Sequence, residues 1–278
     1  MKIVCLVENT SSDCNLASEH GLCFYVETLK HKLLVDTGAT SAFIDNAEKI
    51  GVDLTKVDTV FLSHGHYDHC GGVMAFAEIN PHADIYINKK AFADFWMVND
   101  SCRKYIGIDR NIMALPQLKP VDGELKIDDE LWIFNKAPFN KLLPLTNNEL
   151  MIKTTQNDLS QKYVFDNFEH EQYLEINCSD KKLLFSGCAH KGIVNIISAY
   201  KTLRGTEPDY ALSGFHTMNK NGYSEEEQVM IGDIAKELLQ YKTVFYTCHC
   251  TGLEPYAMLK KSMGGRINYI STGNVLEF

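Results

Sequence analysis

The sequence lacks any stretch of 18 or more consecutive apolar residues, which excludes a helix long and apolar enough to cross a bilayer. The N-terminal run Met1-Lys2-Ile3-Val4-Cys5-Leu6-Val7 turns polar at Glu8-Asn9-Thr10, before the apolar core of a secretory signal could form. A cytoplasmic chain with no membrane partner is expected. Positive charge is scarce as well. Lys and Arg number 27 against 36 Asp and Glu, the net charge is −9, and no run of Lys and Arg exceeds two. Such a surface has little to attract a phosphate backbone, so nucleic acid is excluded as a partner and a small-molecule substrate is expected. Nothing in the sequence sets an oligomeric state. CxxC pairs are also absent. The nine cysteines, at 5, 14, 23, 70, 102, 178, 188, 248 and 250, are odd in number and irregularly spaced, which fits neither a disulfide framework nor a zinc ribbon. Most are expected to be reduced core residues. No low-complexity linker and no period of 20 to 50 residues divides the chain, so residues 1–278 read as one domain.

With 45% hydrophobic and 23% charged residues, the chain can bury a sizeable core. Short apolar strands are expected at Ile3–Val7, Leu22–Glu27 and Lys32–Val35, the last stopping at Asp36-Thr37-Gly38. A helical spacing follows over Thr40–Ile50, then a strand at Thr59–Leu62, a helix at Val73–Ile79 and a strand at Ala83–Ile87. Residues 92–120 have mixed character and are a candidate inserted cap or substrate loop. The second half has strands at Gln172–Ile176, Lys182–Ser186, Tyr210–Ser213 and Thr243–Tyr246. Helices separate them at Ile193–Leu203 and at Ser224–Leu239, the latter opening with the capping box Ser224-Glu225-Glu226-Glu227.

At the end of the Thr59–Leu62 strand stands Ser63-His64-Gly65-His66-Tyr67-Asp68-His69. Four metal-ligating side chains crowd into six residues. Alternate residues at a strand end point the same way, so His64 and His66 can share one ion, while Asp68 and His69 on the following turn can face a second. The competing reading, a satisfied polar turn, does not explain an Asp flanked by three histidines. Two divalent ions, zinc first with iron or manganese as alternatives, can lower the pKa of a water to about 7 and polarise a substrate oxygen.

Asp36-Thr37-Gly38, the His64–His69 run and Gly71-Gly72 resemble, in order and spacing, the first two motifs of the metallo-β-lactamase superfamily. The resemblance implies an α/β fold, the αβ/βα sandwich of two mixed β-sheets flanked by helices. It also implies that Asp36 orients the metal loop rather than binding metal. A third-motif histidine, a bridging acid and a fifth-motif histidine should follow. Cys188, in Phe185-Ser186-Gly187-Cys188-Ala189-His190, stands where the bridging Asp is expected. A thiolate can ligate zinc, and His190 offers an imidazole from the same loop. His170 is a candidate third ligand or equally a surface histidine, and His249 fits the fifth motif. Its neighbours Cys248 and Cys250 are expected on the opposite face of a strand, as structural residues. His216 ends another apolar strand and is a candidate catalytic residue or extra ligand. His20 can reach the site from the N-terminal hairpin, and His31 and His82 read as surface residues.

Glu19-His20-Gly21-Leu22, Gly187-Cys188-Ala189-His190, Gly214-Phe215-His216 and His249-Cys250-Thr251-Gly252 further resemble one branch of the superfamily. That branch is labelled dihydropterin ribofuranosyl-aminobenzene phosphate synthase. The resemblance implies a metal-dependent hydrolase that uses a metal-activated hydroxide on a small ester or phosphoester, a phosphorylated pterin precursor among the candidates. Asp68 would ligate metal and also move a proton. The alternatives are a non-hydrolytic, metal-bound ligand sensor and an iron-dependent redox enzyme on the same fold.

Overall fold

The computed structural model describes residues 1–155 and 161–278. Its logic is visible in the first strand, Lys2–Val7, which is apolar at every position after Lys2 and buried on both faces. Ile3 and Cys5 pack into one cluster while Val4 and Leu6 pack into another. A strand covered on both sides reads as a continuous apolar run rather than an alternating one.

That strand lies in a seven-stranded sheet ordered Val275–Glu277, Lys2–Val7, Cys23–Glu27, Lys32–Val35, Thr59–Phe61, Asp84–Asn88 and Leu118–Val121. A second seven-stranded sheet is ordered Ile267–Tyr269, Val244–Thr247, Tyr210–Ser213, Lys181–Phe185, Tyr173–Cys178, Leu131–Phe134 and Leu125–Lys126. Both are mixed, antiparallel over one half and parallel over the other. Phe24, Val26, Leu33 and Phe61 of the first sheet meet Ile133, Leu174, Ile176 and Phe185 of the second in a shared inner core. The outer face of the first sheet is covered by the helices Ala42–Ile50 and Val73–Ile79, through Phe43, Ala47, Val73 and Phe76. The outer face of the second is covered by Ile193–Arg204, Glu225–Leu238 and Leu253–Met263. The result is four layers, helix on sheet on sheet on helix. No helix among the described residues is long and apolar enough to cross a membrane.

The expected stretch 92–120 divides in two. Phe95–Val98 and Arg103–Tyr105 join Leu150–Thr155 and Gln161–Phe165 in a four-stranded sheet beside the cleft. The remainder returns to the body of the fold, with Ile112 buried in the outer core and Leu118–Val121 closing the first sheet. The parallel strands matter most for function, because Val35, Phe61, Phe185, Ser213 and Thr247 all end on the same rim. Loops after the carboxyl ends of parallel strands are where such sheets place ligands.

Candidate metal centre

Four of those five strand ends turn sharply. Asp36, Ala189, His216 and His249 all have positive φ, at 59°, 54°, 48° and 52°, a conformation that non-glycine residues adopt at a cost and that concentrates at functional sites. Gly187, at φ 53°, permits a closer approach. A Cβ there would lie 2.4 Å from Ser63 Oγ.

Asp36 organises the histidine run. Its fully buried carboxylate accepts from Ser63 N at 2.7 Å and Ser63 Oγ at 2.8 Å, and lies 2.6 Å from His69 Nδ1. Burial alone would pull the His69 pKa down, but the Asp36 and Asp68 carboxylates outweigh it and hold it at about 9. His69 Nε2 then points at Cys188 Sγ, 3.0 Å away.

His64 and His190 meet Nε2 to Nε2 at 3.3 Å. The outer nitrogens set their tautomers. Ser63 Oγ donates to Asp36, so it accepts from His64 Nδ1 at 2.8 Å. Asn147 spends its Nδ2 on His190 O at 2.7 Å, which leaves Oδ1 to accept from His190 Nδ1 at 3.2 Å. Both Nε2 atoms therefore present lone pairs to one another, an arrangement that calls for a cation between them. His249 is held the same way. Asn9 Nδ2 donates to His249 O at 3.3 Å and Asn9 Oδ1 lies 2.8 Å from His249 Nδ1. His249 Nε2 is buried without a hydrogen bond and faces Asp68 Oδ2 at 3.4 Å, and His66 Nε2 is likewise buried and unsatisfied. Orphaned buried nitrogens of this kind need a partner. The two loops are braced alike: Glu8 Oε2 accepts from His249 N and Tyr269 Oη, and Glu171 accepts from His190 N, Lys191 N and Tyr173 Oη.

The remaining expected residues sort by their partners. His20, on the exposed rim, places Nε2 3.3 Å from Asp68 Oδ2. The His216 ring lies 4.2 Å from the His190 ring, tilted by 57°, and its Nδ1 lies 2.8 Å from Thr146 Oγ1, which donates to His216 O. Loss of solvent pushes the His216 pKa down to about 3. His170 is differently placed. It accepts from Gly65 N at 3.0 Å through Nδ1, and its Nε2 lies 3.1 Å from Asp166. Both nitrogens have partners, and the ring braces the backbone between His64 and His66, while His66, Asp166 and His170 also converge as a group that could hold an ion.

Cys250 departs from expectation. The strand stops at Thr247 and His249–Thr251 forms a short 3-10 turn, so alternation no longer applies. Cys248 enters the inner core, whereas the ligating atoms of Cys250, Cys188 and His249 lie within 4.8 Å of one another. Asn9 and Asn147 also escaped sequence reasoning, since an amide clamp across the fold leaves no local pattern. His31 is not a free surface residue, for it bridges Asp58 at 2.7 Å and Asp128 at 2.9 Å.

His64, His66 and His190 thus converge as one group, and His64, His69 and Cys188 as an adjoining one. A cleft of about 270 Å³ opens over them, with His20, His66, Asp68, His190 and His216 on its floor. The family model described as "Metallo-beta-lactamase superfamily" matches residues 19–136. A solved structure described as Tm1679, a metal-dependent hydrolase of the β-lactamase superfamily, aligns over 100% of this chain and 99% of its own, with a TM-score of 0.80 and 25% identity. Over residues 19–136 the chain is thus similar to the metallo-β-lactamase superfamily, and over its whole length to a solved member of it. Its four layers are the αβ/βα sandwich of that superfamily's members. Among curated relatives, a protein of Methanocaldococcus jannaschii named 7,8-dihydropterin-6-methyl-4-(beta-D-ribofuranosyl)-aminobenzene-5'-phosphate synthase is 26% identical over 94% of this chain and 90% of its own length. An uncharacterized protein of the same archaeon is 27% identical over 98% of both chains.

Proposed function

We propose that this protein is a hydrolase of small anionic esters, working at a pair of divalent ions. His64, His66 and His190 would hold one ion, Asp68, His69 and His249 the other, and Cys188 would stand between them. The observation that carries the reading is the set of imidazole Nε2 atoms at His64, His66, His190 and His249, which are turned inward by their Nδ1 partners or left buried without one. The donor set is nitrogen, carboxylate and thiolate, which suits zinc and also admits iron or manganese. When bound, the ions supply Lewis acidity and lower the pKa of a water.

The chain's own residues do the rest. Asp68 is held well below the usual carboxylate range, because His69 and His249 outweigh its burial, so at neutral pH it is an ionised carboxylate at the cleft floor, suited to hold a cation. His20 fixes its orientation. His216, neutral and with Nδ1 facing Thr146, offers Nε2 to accept a hydrogen from water or a substrate hydroxyl. At the rim, Lys104 and Lys220 line the cleft, and Lys104 Nζ donates to Tyr67 Oη at 3.0 Å. Two ammonium groups at the mouth of a chain of charge −9 favour an anionic substrate. A phosphorylated pterin precursor is one candidate, in keeping with the 5'-phosphate in the archaeal relative's name.

Metal-loaded protein should turn over a member of a phosphomonoester, phosphodiester and thioester panel. For an anionic substrate, Lys104→Glu with Lys220→Glu should raise KM about tenfold while leaving kcat near wild type. Full metal loading with no turnover across the panel would favour the ligand sensor, and visible absorption of the isolated protein would favour redox chemistry at iron.

A further inference from the structure

A larger cavity, about 640 Å³, lies behind the loop that carries His190. Its walls are Ala137, Pro138, Ala199 and Leu203, with the hydroxyls of Ser198 and Thr202 beside them. Three lysines line it. Lys90 pairs with Glu169 and Lys136 with Glu124, both on the exposed rim. Lys191 is different: only 8% of its surface is accessible, it lines the cavity, and among the described residues no hydrogen bond or ion pair holds its ammonium, which is not itself buried. An ammonium on a mostly buried stem, open only to the cavity, is placed to meet an anion there. The lysine is not kept there for packing against a carboxylate, since the nearby Glu171 carboxylate is taken by the backbone amides of His190 and Lys191 and by Tyr173 Oη.

We propose that this cavity is a second ligand site, taking a small organic oxyanion whose charged head meets Lys191 and whose apolar body lies against Pro138, Ala199 and Leu203. The proposal does not depend on hydrolysis at the metal centre. It does place the ligand on the opposite side of one loop from the metal-facing His190, with Glu171 gripping consecutive amides of that loop. Binding in the cavity is thereby poised to bear on the position of His190.

Phenylphosphonate is a suitable probe, with a charged head, an apolar ring and no ester bond to cleave. Isothermal titration of the metal-loaded protein should detect a binding event that is weakened about tenfold or more in Lys191→Met, the loss of one charge-assisted contact. Because Lys191 adjoins His190, a second variant is needed. Thr202→Trp sits on the exposed helix wall and fills the cavity without touching the loop, and it should abolish the same event while metal content stays at the wild-type level. Inorganic phosphate, lacking the apolar body, should bind about tenfold more weakly than phenylphosphonate. Equal binding of the two anions would remove the role given to the apolar wall. Phenylphosphonate heats unchanged in both variants, or no binding beyond that lost with the metal centre in His66→Ala, would overturn the proposal.

Discussion

Asp36 carries much of the site's order through one side chain. It fixes Ser63 at two atoms and His69 at a third, and Ser63 in turn sets the tautomer of His64. Asp36→Asn keeps the shape but must direct an amide nitrogen at a donor. The expected outcome is a loss of about ten- to a hundredfold in metal affinity, measurable by competition with a chromophoric chelator, and an unchanged affinity would show that His69 needs no orienting carboxylate. His31 gives a pH prediction. Burial works to lower its pKa, but the hydrogen bonds and charges of Asp128 and Asp58 prevail and raise it above the ordinary 6.5. Folding therefore takes up a proton at this ring. Its stabilisation is present in full below that ordinary value and is lost as pH rises through the raised one. The Tm gap between wild type and His31→Asn should accordingly shrink from pH 6 to pH 8.5. A gap that stays constant would mean the carboxylates do not hold the proton.

Among the elements, the strand-end turns are the sensitive parts. Gly187→Ala drives a Cβ to 2.4 Å from Ser63 Oγ at a positive φ, and should cost about 1–3 kcal/mol in denaturant unfolding together with a loss of bound metal. Gly232, inside the helix Glu225–Leu238, has nothing within 4 Å of the same added atom. Gly232→Ala should instead stabilise by about 0.5–1 kcal/mol. A substitution at Gly187 as harmless as that at Gly232 would refute the close approach. Elements of this regular kind were largely legible in the sequence. The helix expected at Thr40–Ile50 forms over Ala42–Ile50, and that at Ile193–Leu203 over Ile193–Arg204. The capping box is present, with Ser224 and Glu227 bonded reciprocally. Each of these depends on local periodicity or capping. What was not legible depended on contacts between distant segments, as in the pairing of Phe95–Val98 with Leu150–Thr155 and the amide clamps of Asn9 and Asn147, or on the 3-10 turn His249–Thr251 that brings Cys250 to the cleft.

Across the whole molecule, the centre is shared between the halves. His64, His66, Asp68 and His69 come from the first sheet's loops, whereas Cys188, His190 and His249 come from the second's. Ions held between them would join the two halves of the sandwich, and ligands that bind only the folded state add to its stability. Removing metal with a chelator should lower Tm, and restoring zinc should reverse the change. The histidine run, read first as a crowded strand end, is the part of this centre that the sequence displayed most openly. The measurement that tests it most directly is elemental analysis of protein purified without chelator, alongside His66→Ala. About two divalent ions per chain are predicted for the wild type, with a clear fall in His66→Ala, whose parent ring presents a buried, unsatisfied Nε2. Well under one ion per chain, or a content unchanged by the substitution, would contradict a metal centre at His64–His69.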